Sequence, residues 1–342
     1  MRGLFDYEYQ LESINQHRPP LQRLNEVIDW ELFRTPIEEA FRHEPKGSGG
    51  RPPFDRLMMF KITILQRYYN LSDEQTEFQI KDRLSFQQFL GLQIGDKVPD
   101  EKTLWLFKEQ LKEKGLSKKL FDHFTQLLSS NGIVAKEGSI VDASFVDVPR
   151  QRNSREENAQ IKQGEIPASF KDNAHKKAQK DCDARWTLKN GERHYGYKNH
   201  VKADMKTKLI TKFTTSSANV HDSQKLEELI DEEDQTVYAD SAYASEKIKA
   251  HLQRCGSRNH IHEKGYRNRP LDLQQQMTNK IKSKIRVRVE HIFGYMTNSM
   301  NDGLRLRAIG KKRIDSLTAL LNLTYNLFRY EQLVRLQKVK VM

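Results

Sequence analysis

The hydrophobic period of this 342-residue chain changes near Gly132, and this change constrains the fold more than any other feature. Before it, apolar residues recur at helical spacing, apart from a loop rich in Gly and Pro. After it, short runs rich in β-branched residues alternate with helical segments, which indicates an α/β domain with a mixed sheet. The predicted divisions are an all-helical N-terminal domain at 1–132, an α/β domain at 133–335 and a tail at 336–342.

Five strand segments are predicted in the α/β domain, and the two long segments that end it are predicted to be helical. The first strand is "GSIVDASFVDV", and "RHYGYKNHVKA" with "LITKFTTSSANV" forms a hairpin. "TVYADSAY" is a fourth strand and "RNHIHEKG" a possible fifth, with a helix at "SEKIKAHLQRCG" between them. The long helices are predicted at about 271–300 and 313–335.

Two parts of the chain have more than one interpretation. The short helices of the N-terminal domain suit a DNA reader of the helix-turn-helix kind or a dimerisation unit, and a plain helical scaffold is equally consistent. Residues 149–193 are polar, rich in Lys and Arg and poor in aliphatic residues, so we predict a mobile basic insertion or arm.

The formal charge of +12 favours a polyanionic partner, since Lys and Arg bind nucleic acid by neutralising its phosphates. The alternative is a soluble protein that is merely basic. Only two cysteines occur, which fits a reducing compartment. The N-terminus has no apolar signal core, and no run approaches the roughly 20 apolar residues that cross a bilayer. We therefore expect a cytoplasmic protein without a membrane partner.

The basic segment "KIKSKIRVRVEHIF" keeps one acid, Glu290. Its apolar residues alternate as in a strand but also recur at intervals of three and four, and we prefer a helix. In a helix, Glu290 can form an ion pair with Arg286 one turn earlier. That ion pair is the simplest explanation for an acid in so basic a segment. The other carboxylates of the domain suggest a second explanation.

Asp142 lies in the first predicted strand, and Asp240 lies in or ends the fourth. If these strands are neighbours, the two side chains project together, and a helix across the sheet can add Glu290. Three such carboxylates require a compensating cation, and oxygen ligands select Mg²⁺ or Mn²⁺. Two ions about 4 Å apart can serve phosphoryl transfer. Asp147 is a rival for the place of Asp142, but it follows too near the strand's end.

The succession "IVDASFVD", "YADSAY", "RVRVEHIFGYM" and "GLRLRAIGKKR" resembles the DDE transposases of bacterial insertion sequences, in particular the insertion-sequence-five family. The N-terminal segment beginning "GRPPFDRLMMF" is similar to that family's helical region. The resemblance implies an RNase H-like catalytic domain, Mg²⁺ dependence and recognition of terminal inverted repeats. It also implies that Asp142, Asp240 and Glu290 form the acidic triad that binds the metal, and we expect a homo-oligomer on double-stranded DNA.

Several cations are candidate DNA contacts. Arg286 matches the arginine of a related signature around the glutamate, whereas Ser283 and Thr297 depart from its tyrosine and lysine. Because of these departures, the signature's full set of phosphate contacts is not carried over. The other candidates, for which a solvated basic surface or an exposed strand face is an equal explanation, are Lys198, His200, Arg288, Lys311, Lys312 and Arg313.

The sequence therefore predicts a transposase that cleaves at the ends of its element and joins the 3′ hydroxyls to target DNA. Two alternatives remain at this point. One is a DNA-binding regulator without catalysis, such as a domesticated transposase, although a binder would gain affinity by losing carboxylates near phosphate. The other is a structure-specific nuclease that uses the same metals and joins no ends.

Overall fold

The computed structural model describes residues 6–42, 52–189 and 191–341. The chain divides into two compact units, of which the first comprises Met1–His123 with Ala319–Met342 and the second Phe124–Thr318. This division differs from the boundaries at 132 and 335 because the end of the last helix packs with the N-terminal unit. No helix in the described ranges is long and apolar enough to cross a membrane.

Helices make up the regular structure described before residue 131. Side-chain caps begin two of them: Ser72 and Gln75 form a reciprocal capping box, and Asp100 accepts the amide of Thr103 at 2.7 Å. The helices are α1 (Asp6–Gln16), α2 (Pro20–Val27), α3 (Arg34–Phe41), α4 (Arg56–Tyr69), α5 (Asp73–Asp82), α6 (Leu84–Leu90), α7 (Glu101–Glu113) and α8 (Leu116–Ser130).

Aromatic packing holds the first unit together. The rings of Trp30, Phe33 and Phe60 lie within 6.2 Å of one another, centroid to centroid. The last helix, α16 (Lys311–Arg335), contributes Phe328, which stacks on Tyr68 at 3.8 Å. Aromatic contacts of this kind add to the burial of their apolar surface. Residues 319–335 therefore belong to the core of this unit.

The second unit contains a six-stranded sheet and the remaining helices. Its strands are β1 (Ser139–Asp147), β2 (Arg185–Lys189), β3 (Glu192–Asp204), β4 (Ile210–Ser217), β5 (Thr236–Tyr238) and β6 (Arg258–Asn259). Its helices are α9 (Arg155–Lys162), α10 (Ala168–Lys171), α11 (Ala174–Ala178), α12 (Leu226–Leu229), α13 (Glu246–Arg254), α14 (Leu273–Arg286) and α15 (Arg288–Gly294), with parts of α8 and α16.

The strand order is β2-β3-β1-β5-β6, and β4 pairs with the part of β3 that β2 leaves open. Strand β3 is antiparallel to β1, β2 and β4, whereas β5 is parallel to both β1 and β6. The first and fourth predicted strands are thus neighbours, and the predicted mixed sheet is confirmed. A cluster of buried apolar residues packs on each face of the sheet. One cluster includes Val141, and the other includes Val146.

Three elements depart from the sequence prediction. Strand β5 ends at Tyr238 because Asp240 caps a 3₁₀ turn, its carboxylate accepting the amide of Ser241. The predicted helix at about 271–300 is confirmed in type, but it breaks at Val287 into α14 and α15 and ends in a π-helical turn. Strand β2 was not predicted at all.

The basic insertion at 149–193 carries α9, α10, α11 and β2. Although the segment is poor in aliphatic residues, its Phe170 is fully buried. The carboxylate of Asp181, itself buried, accepts hydrogen bonds from the Tyr197 hydroxyl at 2.7 Å and the Gly310 amide at 2.9 Å. These bonds attach the insertion to β3 and to the start of α16, and its mobility stays a prediction.

Candidate catalytic site

The parallel register of β1 and β5 places Asp142 beside Asp240. Ile140 pairs with Tyr238, and two residues further along each strand come the two aspartates. Successive side chains of a strand point to opposite faces, so residues two apart share a face. Asp240 keeps an extended backbone, with φ −71° and ψ 163°, although the ladder has ended. Both carboxylates therefore project from one face of the sheet, Asp142 from within β1 and Asp240 from just past the end of β5.

Glu290 reaches the same region from α15, which contacts β1. The break at Val287 separates Arg286, the last residue of α14, from Arg288, the first of α15. Helical bonds nevertheless continue through the break, since the Glu290 amide donates to the Val287 carbonyl at 3.1 Å. The turn thus holds Arg286 and Glu290 on one side at the spacing that the sequence predicted.

Arg286 joins two of the predicted triad carboxylates. Its Nη1 donates to Asp142 Oδ2 at 3.0 Å, and its Nη2 donates to Glu290 Oε1 at 2.8 Å. The interpretation of Glu290 as a partner of Arg286 is therefore correct, but incomplete. One guanidinium is the shared cation between a strand residue and a helix residue 148 positions apart, which brings the two carboxylates to one place.

Burial makes this cation important for Asp142, whose side chain is 18% exposed, compared with 55% for Glu290. Burial raises the pKa of Asp142, while the Ala143 amide, Arg286 and Lys189 oppose the rise. Without a neighbouring cation, an ionised carboxylate at this depth is costly. The site is thus built to keep a positive charge beside Asp142.

His262 lies beside Asp240 and was missed as a site residue. Its Nδ1 is 3.9 Å from Asp240 Oδ1, its Nε2 contacts the Ser283 hydroxyl at 3.3 Å, and its amide donates to the Ala239 carbonyl. When the register of β5 with β6 is continued past the paired residues, Asp240 lies opposite His262. Asp142, Asp240 and His262 therefore form a row across three neighbouring strands. Only the register reveals this row, because β6 has just two residues.

Two buried donors in this region have no hydrogen-bond partner among the described residues: the Tyr243 hydroxyl and Nε of Arg286. Burial raises the pKa of Tyr243 well above its usual value, and the charges of Asp142, Asp222 and Asp240 reinforce the rise. A buried donor without a partner costs about 1–3 kcal/mol. Both donors therefore leave hydrogen-bonding capacity unused beside the carboxylates.

Two of the predicted DNA contacts lie inside the protein. The Lys198 ammonium donates to the Val220 carbonyl and to Asp222, each at 2.7 Å. His200 is fully buried, and its Nε2 contacts the Ser216 hydroxyl at 2.7 Å. The strand face that carries them is therefore covered rather than exposed. Neither side chain is available at the surface for a phosphate.

The other predicted contacts have different surroundings. Arg288 donates to the Met205 carbonyl at 2.6 Å, and Lys311 donates to Thr215 and to Asp315. Lys312 is exposed, and Arg313 donates weakly to the Ile309 carbonyl. The structure thus groups Arg286 with the triad and leaves Lys312 as the most accessible of these cations.

Asp147, the rival of Asp142, lies at the far end of β1. Its backbone bonds with Leu304 and Leu306, and its carboxylate is 3.6 Å from Nδ1 of His194. Asp147 is five positions after Asp142, an odd step along the strand, so its side chain belongs to the other face. The geometry therefore groups Asp142, not Asp147, with Arg286 and Glu290.

The donor chemistry fits a hard divalent cation, because carboxylate oxygens are its preferred protein ligands. The observation that supports the fit is the single guanidinium that two of the carboxylates share. Within residues 6–42, 52–189 and 191–341, no group of three potential ligands is already gathered around one point. Asp240, half exposed and bonded to its own Ser241 amide, stands next to this pair rather than in contact with Arg286.

Comparison with known proteins shows the family of the chain. Residues 8–110 match the family described as Transposase domain (DUF772), and residues 135–327 match the family described as Transposase DDE domain. A solved structure of a piggyBac transposase synaptic complex with hairpin DNA is 11% identical, with a TM-score of 0.45. That similarity covers 93% of this chain and 74% of the other.

The second match spans more than half of the chain, so the protein is a transposase. It belongs to the family of transposases with a DDE domain and is a DNA transposase of that type. Membership of this family implies dependence on a divalent metal.

Proposed function

We propose that this transposase cleaves DNA at the ends of its own insertion sequence and joins the released 3′ hydroxyls to target DNA, with Asp142, Asp240 and Glu290 as its catalytic carboxylates. One observation carries the proposal. A single guanidinium, that of Arg286, bonds both Asp142 and Glu290, while strand register brings Asp240 next to Asp142.

The two reactions are both phosphoryl transfers. In the first, a water oxygen attacks the scissile phosphorus, and the bond to the 3′ oxygen breaks, leaving a 3′ hydroxyl and a 5′ phosphate. In the second, that 3′ hydroxyl attacks a phosphorus of the target and displaces a new 3′ oxygen. Neither step requires a covalent bond to the protein, so the residues act by position and charge.

The three carboxylates would hold Mg²⁺, or Mn²⁺ in its place, and two ions are expected from the chemistry of this reaction. When bound, such ions activate the attacking oxygen and stabilise the leaving one. Arg286 then has a second role. Released from Asp142 and Glu290, its guanidinium can bind a phosphate through Nη and through Nε, which now lacks a partner.

The finer classification also belongs to this proposal. The strand order β4-β3-β1-β5-β6, antiparallel in the first part and parallel in the second, supports an RNase H-like catalytic domain. The motifs around Asp142, Asp240 and Glu290 support a place in the insertion-sequence-five family. We further propose a homo-oligomer on double-stranded DNA, because two element ends must be processed together.

The N-terminal helices are proposed to recognise the terminal inverted repeats, because a metal site that binds phosphates carries no sequence information. Helix α7 exposes Lys102 and Trp105 on one face. The double variant Lys102→Gln, Trp105→Ala should lose discrimination between specific and scrambled ends, measured by competition binding. If discrimination is undiminished, this face of α7 does not recognise the element ends.

Substitution of the carboxylates tests the catalytic proposal. Asp142→Asn, Asp240→Asn and Glu290→Gln should each abolish Mg²⁺-dependent cleavage and leave DNA affinity equal or higher, because each removes a charge that repels phosphate. Asp147→Asn is the matched control on β1 and should cleave as the wild type does. Near-normal cleavage by a triad variant removes that residue from the site. Cleavage by the wild type without joined ends would indicate a nuclease.

A further inference from the structure

A cleft of about 760 Å³ opens beside His262, the neighbour of the proposed catalytic residue Asp240. His262 lines it and also lies 3.9 Å from Asp240, so the cleft begins where the row of site residues ends. Its volume falls within the range of about 300–1,000 Å³ that is typical of ligand pockets. Its lining residues come from the loop after β6, from α13 and from α14.

The lining is basic and carries one exposed aromatic ring. The cations are Lys249, Lys264, Arg269 and Lys282, against the acids Glu246 and Glu263. The ring of Tyr266 is 62% exposed, and the Lys264 ammonium lies 5.8 Å from its centroid. Lys264 and Arg269 form no ion pair among the described residues. Exposed rings flanked by unpaired cations are typical of surfaces that bind single-stranded nucleic acid.

Hydrogen bonds hold the loop of the cleft in place on α14. Asn279 donates to the Glu263 carbonyl at 3.0 Å and accepts the Glu263 amide at 2.9 Å. Tyr266 and Arg269 exchange two backbone bonds of 3.0 Å, which closes a tight turn under the ring. Lys282 donates to the Ile261 carbonyl at 2.9 Å. The ring and its cations are therefore presented by a pre-organised loop.

We propose that this cleft binds single-stranded DNA next to the scissile phosphate, with a base stacked on Tyr266 and the neighbouring phosphates bound by Lys264 and Arg269. Bases in a duplex are stacked on one another, so an exposed ring gains most from a base that has left the stack. The proposal rests on the proposed function, since it assigns the strand beside the cleavage point to this cleft.

The test compares two DNA probes on the full chain, without metal. One is a blunt duplex, and the other has the same duplex with a four-nucleotide single-stranded tail. The wild type should bind the tailed probe more tightly, and Tyr266→Ala should reduce this preference by at least fivefold, as expected for one stacked base. The double variant Lys264→Gln, Arg269→Gln should bind the tailed probe more weakly. Its affinity for that probe should also depend less on salt concentration than the affinity of the wild type does.

Matched controls exclude a general effect of lost rings or charges. Phe78 is also 62% exposed, and Lys247, on α13, does not line the cleft. Phe78→Ala and Lys247→Gln should keep the wild-type preference for the tail. Tyr266→Trp should retain the preference, and the fluorescence that it adds to that of the three native tryptophans, obtained by subtracting the wild-type titration, should be quenched by the tailed probe alone.

An unchanged preference in Tyr266→Ala, or equal quenching of Tyr266→Trp by both probes, would overturn the assignment. An equal loss of blunt and tailed binding would show that the cleft holds duplex backbone and would also overturn it. None of these outcomes depends on strand cleavage. Failure of this inference is therefore distinguishable from failure of the proposed catalytic function, which cleavage by Asp240→Asn tests separately.

Discussion

Replacing Arg286 by Gln should strengthen divalent-metal binding by the DNA-free protein. The guanidinium bonds Asp142 and Glu290, the residues proposed to hold the metal, so a metal ion must displace it. The bond to the half-exposed Glu290 is worth at most about 1 kcal/mol. The bond to the largely buried Asp142 is a charge-assisted one, worth about 1.5–3 kcal/mol.

Removing the guanidinium takes away about 2–4 kcal/mol of competition, part of which is offset because the freed carboxylates regain water. A net gain of about 1.4–2.8 kcal/mol corresponds to a metal affinity that is roughly 10- to 100-fold higher. The assay is calorimetric titration of Mg²⁺, or electron paramagnetic resonance of free Mn²⁺, at fixed ionic strength without DNA. Arg288→Gln is the matched control, because that guanidinium bonds the Met205 carbonyl instead of a carboxylate. Its metal affinity should equal that of the wild type.

The same substitution should act on DNA in the opposite direction. If Arg286 binds phosphate once the carboxylates hold metal, Arg286→Gln should weaken DNA binding and lower the salt slope by about one. Metal affinity equal to or below that of the wild type, with unchanged Arg288→Gln, would refute the competition. It would show that Arg286 orders the two carboxylates for the metal instead of occupying its place.

Three further outcomes are expected. Burial lowers the pKa of His200 to about 4, so its unfolded form binds a proton that the folded form does not, and stability should fall by about 3 kcal/mol as pH drops from 6.5 towards 4. Amide exchange of β3 should show this slope, and His200→Gln should flatten it. Asp181→Asn should speed exchange throughout 149–193, whereas Asp183→Asn should not, and DNA should slow exchange there in the wild type. Chelation of divalent metal should stop cleavage at every pH while gel-shift binding of DNA persists.

Much of the catalytic unit could be predicted because its signals are local. Strand β1 is a dense β-branched run, and the helix around Glu290 shows apolar spacing of three and four. The pairing of Arg286 with Glu290 also follows from helical spacing alone. The same reasoning selects Asp142 over Asp147, because the strand must end near Pro149.

The remaining features depend on partners distant in sequence. Strand β2 exposes Trp186 and Leu188, so its pattern gives no buried face, and it depends on pairing with β3. Lys198 and His200 are buried because other elements pack over β3, and no local sequence pattern predicts this packing. The bond between Arg286 and Asp142 likewise spans the whole unit. A single sequence carries no signal for it.

Residues 319–341 complete a unit whose other part is synthesised first. At about 5–20 residues per second, the ribosome adds the roughly 200 intervening residues in on the order of 10–40 s. During that time Tyr68 has no Phe328 to cover it, so the nascent N-terminal helices expose apolar surface that chaperones recognise. A truncated product that ends before residue 319 would keep that surface exposed permanently and should be degraded or aggregate. The core of the first unit is therefore complete only after α16 has been synthesised.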